Sequence, residues 1–120
     1  MDYENKSDIE LSKLTLQHLI SDHLSVKVRD FPSEIVVVVN ERGDELNCFD
    51  INNWNDIMSI AFDFGFDVEM PDENLGDIGQ ITKYMPNDTD IMVEFSSTTR
   101  EAKRAIAICF LKMKDAENGR

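Results

Sequence analysis

The sequence predicts a single α+β domain, a small helix/sheet/helix sandwich with three helices and a mostly antiparallel sheet of four or five strands. Three segments place apolar residues at helical spacing, and several short segments are rich in β-branched residues. One of these, residues 34–39, is aliphatic almost throughout. Such a continuous apolar run is typical of a strand covered on both faces, so we expect helices on both sides of the sheet. The length of 120 residues suits one domain.

The first helix is predicted to begin after Ser7 and to end near Asp22 or His23. Ser7 and Glu10 are predicted to form a capping box. In this motif the serine hydroxyl accepts a backbone N–H of the first turn, and the glutamate side chain accepts the backbone N–H of the serine. The apolar residues that follow at mostly helical spacing are Ile9, Leu16, Leu19, Ile20 and Leu24. They indicate one buried face.

A second helix is predicted over residues 53–64. Its expected apolar face consists of Trp54, Ile57, Met58 and Ala61. Gly65 follows at the position where a left-handed residue usually ends a helix, and Phe66 can close the contact beyond it. An aromatic cluster in this region is interpreted as core, with a recognition patch as the alternative. The cluster comprises Trp54, Phe62, Phe64 and Phe66.

The third helix is predicted over residues 99–114, with a second capping box at Thr98 and Glu101. Its apolar stripe comprises Ala102, Ala105, Ile106, Cys109, Phe110 and Met113. Ile108 and Leu111 lie outside that stripe. We therefore expect this helix to contact a second element of the core or, alternatively, a partner.

Strands are predicted between the helices. They cover residues 25–29, 34–39, 45–49, 66–70 and 91–95. A short turn favours antiparallel pairing of the second and third of these. Alternation in the last two directs Phe66, Val68, Met70, Ile91, Val93 and Phe95 inward. The stretch between Pro71 and Pro86 is predicted as a long loop that can contain a brief strand near 80–84.

The charge is strongly polarised along the chain. Lys and Arg number 12 and Asp and Glu 24, which gives a net charge of −12. Residues 98–120 carry six bases and three acids (+3), whereas residues 1–97 carry six bases and 21 acids (−15). No base lies between Arg42 and Lys83. This balance argues against direct nucleic-acid binding, which needs a basic surface, and against binding to an anionic membrane.

The sequence is also expected to lack targeting segments. Its first residues have neither the basic nor the apolar part of a signal peptide, and its apolar runs, such as residues 35–39, are far shorter than a membrane span. Cys48 and Cys109 lie 61 positions apart outside any CxxC pair. We interpret both as buried free thiols in a reducing cytosol.

No catalytic residue, cofactor or metal site is predicted. His18 and His23 are five residues apart and do not share a helix face as an i, i+4 pair would. Residues 87–98 lack the glycine and the glutamate of a calcium loop. No nucleophile with a nearby base, GxSxG, P-loop or GxGxxG is present. Weak divalent binding by the acids of residues 72–77 remains an alternative.

Three blocks of sequence resemble the NinX-like proteins of tailed phages and prophages. They are residues 1–13, with an opening Met-Asp-Tyr, residues 47–68, with an Asn-rich helix start, and residues 98–118, with a closing aliphatic helix. The matching residues are Met1, Asp2, Tyr3, Ser7, Asp8, Glu10, Cys48, Asn53, Asp56, Ile57, Ile60, Arg104, Ala105, Ile106, Ile108, Phe110, Leu111 and Met113. The last block also resembles phage domains called ABA sandwiches.

This resemblance implies a small accessory protein made from phage or prophage genes in the cytoplasm of a bacterial host. It brings no activity, cofactor or functional residue. We expect a non-enzymatic protein that contacts a host or phage protein with a basic surface. The candidate contact residues are Asp72, Glu73 and Asp77 in the predicted loop and Asp56 and Asp63 on the second helix.

Three other interpretations compete with this expectation. The acids can imitate DNA and block a host nuclease or defence enzyme, or they can serve solubility alone. A DNA-associated factor that uses the basic third helix is disfavoured by the net charge. Its candidate residues are Arg100, Lys103 and Arg104.

Overall fold

A computed structural model describes residues 2–30, 32–71, 78–86, 89–96 and 98–119. A single 3-10 turn, Tyr3–Asn5, precedes the first helix. The helices are α1 (Asp8–Leu19), α2 (Trp54–Asp63) and α3 (Thr99–Gly119). The strands are β1 (Ser25–Arg29), β2 (Ile35–Val39), β3 (Glu45–Phe49), β4 (Asp67–Glu69), β5 (Gly79–Lys83) and β6 (Ile91–Phe95).

The strands form two antiparallel sheets of three strands each, so the prediction of one sheet of four or five strands is wrong. Sheet A has the order β1-β2-β3 and sheet B the order β4-β5-β6. In sheet A, Val36 lies opposite Val28, and in sheet B, Ile81 lies between Val68 and Val93. Each sheet consists of sequential neighbours, and α2 separates the two groups along the chain. The α+β class, the three helices and the antiparallel pairing are confirmed.

Two helices, α1 and α3, lie between the two sheets, which reverses the predicted layer order. α1 packs against β1 and β2, α3 packs against β5 and β6, and α3 also contacts α1 and α2. α3 is therefore the central element of the core, and it is buried on almost every side. Its buried side chains are Ala102, Arg104, Ala105, Ile106, Ala107, Ile108, Cys109, Phe110, Leu111 and Met113. Ile108 and Leu111 are thus core residues.

The C-terminal end of α2 follows the predicted capping pattern, and Asn53 caps its N-terminal end. The Asn53 side chain accepts the backbone N–H groups two and three residues further on, at 2.9 and 3.3 Å. Gly65 has a φ of 70°, and its N–H donates to the Phe62 carbonyl. The Phe66 N–H donates to the Ala61 carbonyl at 2.9 Å, which completes a Schellman motif.

α2 presents a different face to the core from the one predicted. Its buried residues are Ile57, Ile60 and Ala61, whereas Trp54 and Met58 are each 39% exposed. The same i, i+3, i+4, i+7 spacing occurs twice in this segment, once from Trp54 and once from Ile57. The second set prevails because it ends at Phe64, whose ring packs edge-on against the Phe110 ring with centroids 5.1 Å apart.

Sheet A also departs from the prediction of helices on both faces. Val36 and Val38 belong to the core, whereas Val37, although buried, points to the opposite face. Across that face Val37 pairs with Lys27 on one side and Cys48 on the other. In the described ranges no helix packs on this outer face, where Glu45 forms ion pairs with Lys27 and Arg29. Cys48 is exposed there, which corrects its predicted burial.

Two details of sheet B also differ from the predictions. The brief strand allowed near residues 80–84 is β5, the central strand of the sheet. Met70, predicted to face inward, is exposed because β4 ends at Glu69. None of the helices in the described part of the chain has the length and apolar character needed to cross a membrane.

Candidate functional site

The five acids predicted to contact a partner do not form one described site. Three of them lie outside the described residues: Asp72, Glu73 and Asp77. Asp56 and Asp63 are seven residues apart on α2 and therefore share a helix face. Asp56 is half-buried, and its carboxylate accepts the Asp50 N–H at 3.2 Å. Asp63 is exposed at the end of the helix.

The arginines of α3 are bonded to the N-terminal part of the chain. Arg104 is only 7% exposed. It donates to the Asp8 carboxylate and to the carbonyls of Glu4 and Lys6, the last two at 3.2 and 2.9 Å. Arg100 donates to the same Asp8 carboxylate through Nε at 3.0 Å and Nη2 at 3.3 Å. Asp8 therefore joins the start of α1 to two successive turns of α3.

Asp8 also joins these helices to the turn before α2. The side-chain amide of Asn52 donates to Asp8 Oδ2 at 2.9 Å. Partial burial favours the protonated form of Asp8, but the hydrogen bonds from Asn52, Arg104 and Arg100 outweigh it and lower the pKa of Asp8. The same contact raises the pKa of Arg100. The Asp8 carboxylate is therefore ionised, and both of its oxygens accept hydrogen bonds from other parts of the chain.

Two lysines further along α3 are paired in the same way. Lys112 Nζ donates to Glu4 Oε1 at 2.9 Å, and this hydrogen bond lowers the pKa of Glu4. Lys114 pairs with Glu117 on α3 itself at 3.5 Å. Tyr3 adds another link, because its hydroxyl donates to Asp115 at 2.6 Å. The described basic side chains of α3 are thus paired with carboxylates or carbonyls of the same chain.

The acids of sheet B are placed differently. Asp67, Glu69 and Glu94 project from its outer face, since the alternate residues Val68 and Val93 belong to the core. All three carboxylates are exposed. None of them forms an ion pair with a base in the ranges that the structure describes. This face therefore presents uncompensated negative charge to solvent.

α2 exposes a row of large apolar side chains, which we call the α2 stripe: Trp54, Met58 and Phe62. They are spaced i, i+4, i+8, so they follow one side of the helix. Phe62 is 86% exposed. The Lys103 ammonium lies 4.8 Å from the Trp54 ring centroid and donates to the Asn52 carbonyl at 2.8 Å. The predicted aromatic cluster is thus divided, because Phe64 and Phe66 pack against the core and the other two aromatics are exposed.

A shallow groove of about 170 Å³ lies between β6 and α3. It is lined by both signs of charge, including Glu94, Glu101, Arg104 and Lys112. Its two bases are those that already bind Asp8 and Glu4. Among the residues that the structure describes, no three His, Cys, Asp or Glu side chains are placed to hold a metal ion.

Comparison of the chain with models of protein families, with curated proteins and with solved structures found no match. Its function is therefore inferred from the chemistry of its surface, together with the resemblance to NinX-like proteins.

Proposed function

We propose that this chain is a non-enzymatic accessory protein that binds a basic surface of a host or phage protein through its acidic exterior. The separation of charge supports this proposal most. The described bases of α3 are bonded within the chain, whereas Asp63 on α2 and the outer acids of sheet B have no basic partner among the described residues. A field of one sign that extends into solvent accelerates association with a partner of opposite sign.

The burial of Cys109 supports a role in which this thiol takes no part in covalent chemistry. Burial raises the pKa of Cys109 to about 12, so this cysteine stays protonated and is a poor nucleophile. Both cysteines are free thiols, which suits a reducing compartment. Together with the resemblance to NinX-like proteins, this favours action in the cytoplasm of a bacterial host as part of a phage or prophage.

The contacts of α3 also weigh against a DNA-associated function. Arg100 and Arg104 bind Asp8, and Lys103 binds the Asn52 carbonyl. A DNA phosphate would have to replace these contacts before it could use the same bases. Such an exchange would open the junction between α1, α3 and the turn before α2.

A DNA mimic that blocks a host nuclease or defence enzyme is the second candidate. Its specific support is the set of three carboxylates, Asp67, Glu69 and Glu94, on one open sheet face. The same face also exposes Tyr84 and Met92, which are 62% and 58% accessible. Phosphate mimicry has no need of these side chains, so a contact that uses apolar side chains as well as carboxylates is favoured over DNA mimicry.

The test is salt-dependent capture from a bacterial host lysate with two charge-matched variants. The first neutralises the proposed surface by Asp63→Asn, Asp67→Asn, Glu69→Gln and Glu94→Gln. The control neutralises four exposed acids elsewhere by Asp22→Asn, Asp30→Asn, Glu34→Gln and Glu41→Gln. We expect one dominant partner with the wild type and the control, and its loss with the first variant.

The other outcomes separate the candidates. A captured DNA-binding enzyme that excess duplex DNA displaces at low salt would favour mimicry. Equal capture by both variants, or no retained protein at any salt, would refute the proposal. Direct binding of duplex DNA by the free chain would reverse the interpretation of its charge.

A further inference from the structure

We infer that the α2 stripe is where the partner docks, and that the occupant is a basic, amphipathic peptide segment of that partner. Its apolar side chains would cover Trp54, Met58 and Phe62, and its basic side chains would face the carboxylates of the same helix. This inference rests on the proposed function, to which it adds the contact surface and the chemistry of the occupant.

The exposure of the stripe indicates a contact surface. Phe62 is 86% accessible, and Trp54 and Met58 are each 39% accessible. Single exposed apolar residues are common, but three in a continuous row form a patch of the kind found at interfaces. Tryptophan, phenylalanine and methionine are also enriched at the centres of protein interfaces.

The core does not explain these side chains. α2 is anchored by Ile57, Ile60 and Ala61, which are almost fully buried. Phe64 adds its contact with Phe110 at the end of the helix. Phe62 lies outside this anchoring face, so a smaller polar residue there would leave the packing of α2 on α3 in place.

The charge around the stripe selects a basic occupant. α2 contains no base, and Asp63, which follows Phe62 in the chain, carries an exposed carboxylate at the end of the helix. No base occurs between residues 42 and 83 of the sequence. The base beside the stripe, Lys103, comes from α3 and is bonded to a backbone carbonyl. A second copy of this chain is a poor occupant, because two surfaces of the same sign repel each other.

The chain carries its own reporter for the test, because Trp54 is its single tryptophan. One probe is a peptide of about 16 residues, made of leucine and lysine in an amphipathic helical pattern. A second probe has the same lysines with serine in place of leucine. We expect the leucine peptide to shift Trp54 emission to the blue and to shield it from acrylamide, with an affinity about tenfold higher than that of the serine peptide.

Matched variants then locate the contact. Phe62→Ser and Met58→Ser should each weaken binding of the leucine peptide about fivefold or more. The controls Leu19→Ser and Leu46→Ser remove exposed apolar side chains from α1 and sheet A and should change it less than about twofold. Thermal unfolding checks the fold of each variant. Phe62→Ser alone decides the result if Met58→Ser is destabilised.

The remaining outcomes overturn the inference in distinguishable ways. If both peptides bind with equal affinity and Phe62→Ser has no effect, the stripe is not the contact, although the proposed function stands. If Tyr84→Ser or Met92→Ser weakens binding of the leucine peptide and Phe62→Ser does not, the contact lies on sheet B instead. If neither peptide binds, the proposed function fails as well. A dimer in sedimentation that Phe62→Ser abolishes would make a second copy the occupant.

Discussion

Asp8 at the start of α1 holds Arg104 in the middle of α3, although the two residues lie 96 positions apart in the chain. The same carboxylate also binds Arg100 and Asn52. Three parts of the fold therefore meet at one acid: α1, α3 and the turn that leads into α2.

Replacing Asp8 should destabilise the protein strongly. Asp8→Ala leaves the buried guanidinium of Arg104 without its anion, and we expect a loss of about 2–4 kcal/mol in the free energy of unfolding, measured with urea. The matched control is Glu10→Ala, which removes a surface pair with Lys6 at 3.5 Å and should cost less than about 1 kcal/mol. Similar losses for both variants would contradict a special role for Asp8.

The Asp8 junction should also make stability depend on acid pH. The pKa of Asp8 is lowered in the folded protein, because its hydrogen bonds outweigh the opposing effect of burial. Its stabilising contribution is therefore complete above the unfolded-state pKa of about 4 and is lost as the pH falls through the lower folded-state pKa. Glu4 acts in the same direction, since Lys112 lowers its pKa.

The urea midpoint should accordingly fall as the pH drops below about 4. The variant Asp8→Asn should start less stable and show a smaller fall over the same range, because its amide does not titrate. Glu10→Gln serves as the control and should follow the wild type. If the urea midpoint of Asp8→Asn fell with pH as steeply as that of the wild type, groups other than Asp8 would control the loss of stability at acid pH.

Gly79 at the start of β5 should tolerate no side chain. A Cβ at this position would meet the Phe95 ring and would approach the Glu69 carbonyl oxygen to 2.8 Å. We expect Gly79→Ala to lower the free energy of unfolding by about 1–3 kcal/mol through overpacking. The cost should shrink when the same change is made in a Phe95→Leu background. Equal costs in both backgrounds would show that the ring is not the obstacle.

The two cysteines should differ in reactivity. Cys48 is exposed on sheet A, whereas Cys109 is buried and its pKa is raised to about 12. A thiol-reactive dye should therefore label one thiol in the native protein and both after denaturation. Cys48→Ser should abolish native labelling, and Cys109→Ser should leave it unchanged. Rapid native labelling of Cys109 would indicate that the core around α3 opens readily.

The starts of the helices and the end of α2 were predictable because their determinants are local, whereas α1 ends at Leu19, earlier than predicted, and α3 at Gly119, later than predicted. Ser7, Asn53 and Gly65 each act within a few residues of their own position, so the short sequence around them contains the needed information. The face of α2 was not predictable in this way. Two sets of apolar residues have the same spacing, and the contact of Phe64 with Phe110, 46 positions away, decides between them.

Local sequence patterns also could not predict how the strands assemble into sheets or which charges lie in the candidate site. Alternation in β6 correctly indicates that Val93 faces the core, but it does not say which strands become its neighbours. The ion pair of Asp8 with Arg104 spans most of the chain and has no local signature. The sequence therefore revealed the excess of acids, whereas only the fold shows which charges are compensated and that Phe62 is left exposed.

The position of α3 in the chain has a consequence for biosynthesis. A ribosome releases sheet B, α1 and α2 before it releases α3, the helix on which all three pack. Until that helix emerges, the earlier segments are hairpins and helices with uncovered valine, isoleucine and phenylalanine side chains. We therefore expect the nascent chain to expose most apolar surface to chaperones and proteases shortly before α3 emerges.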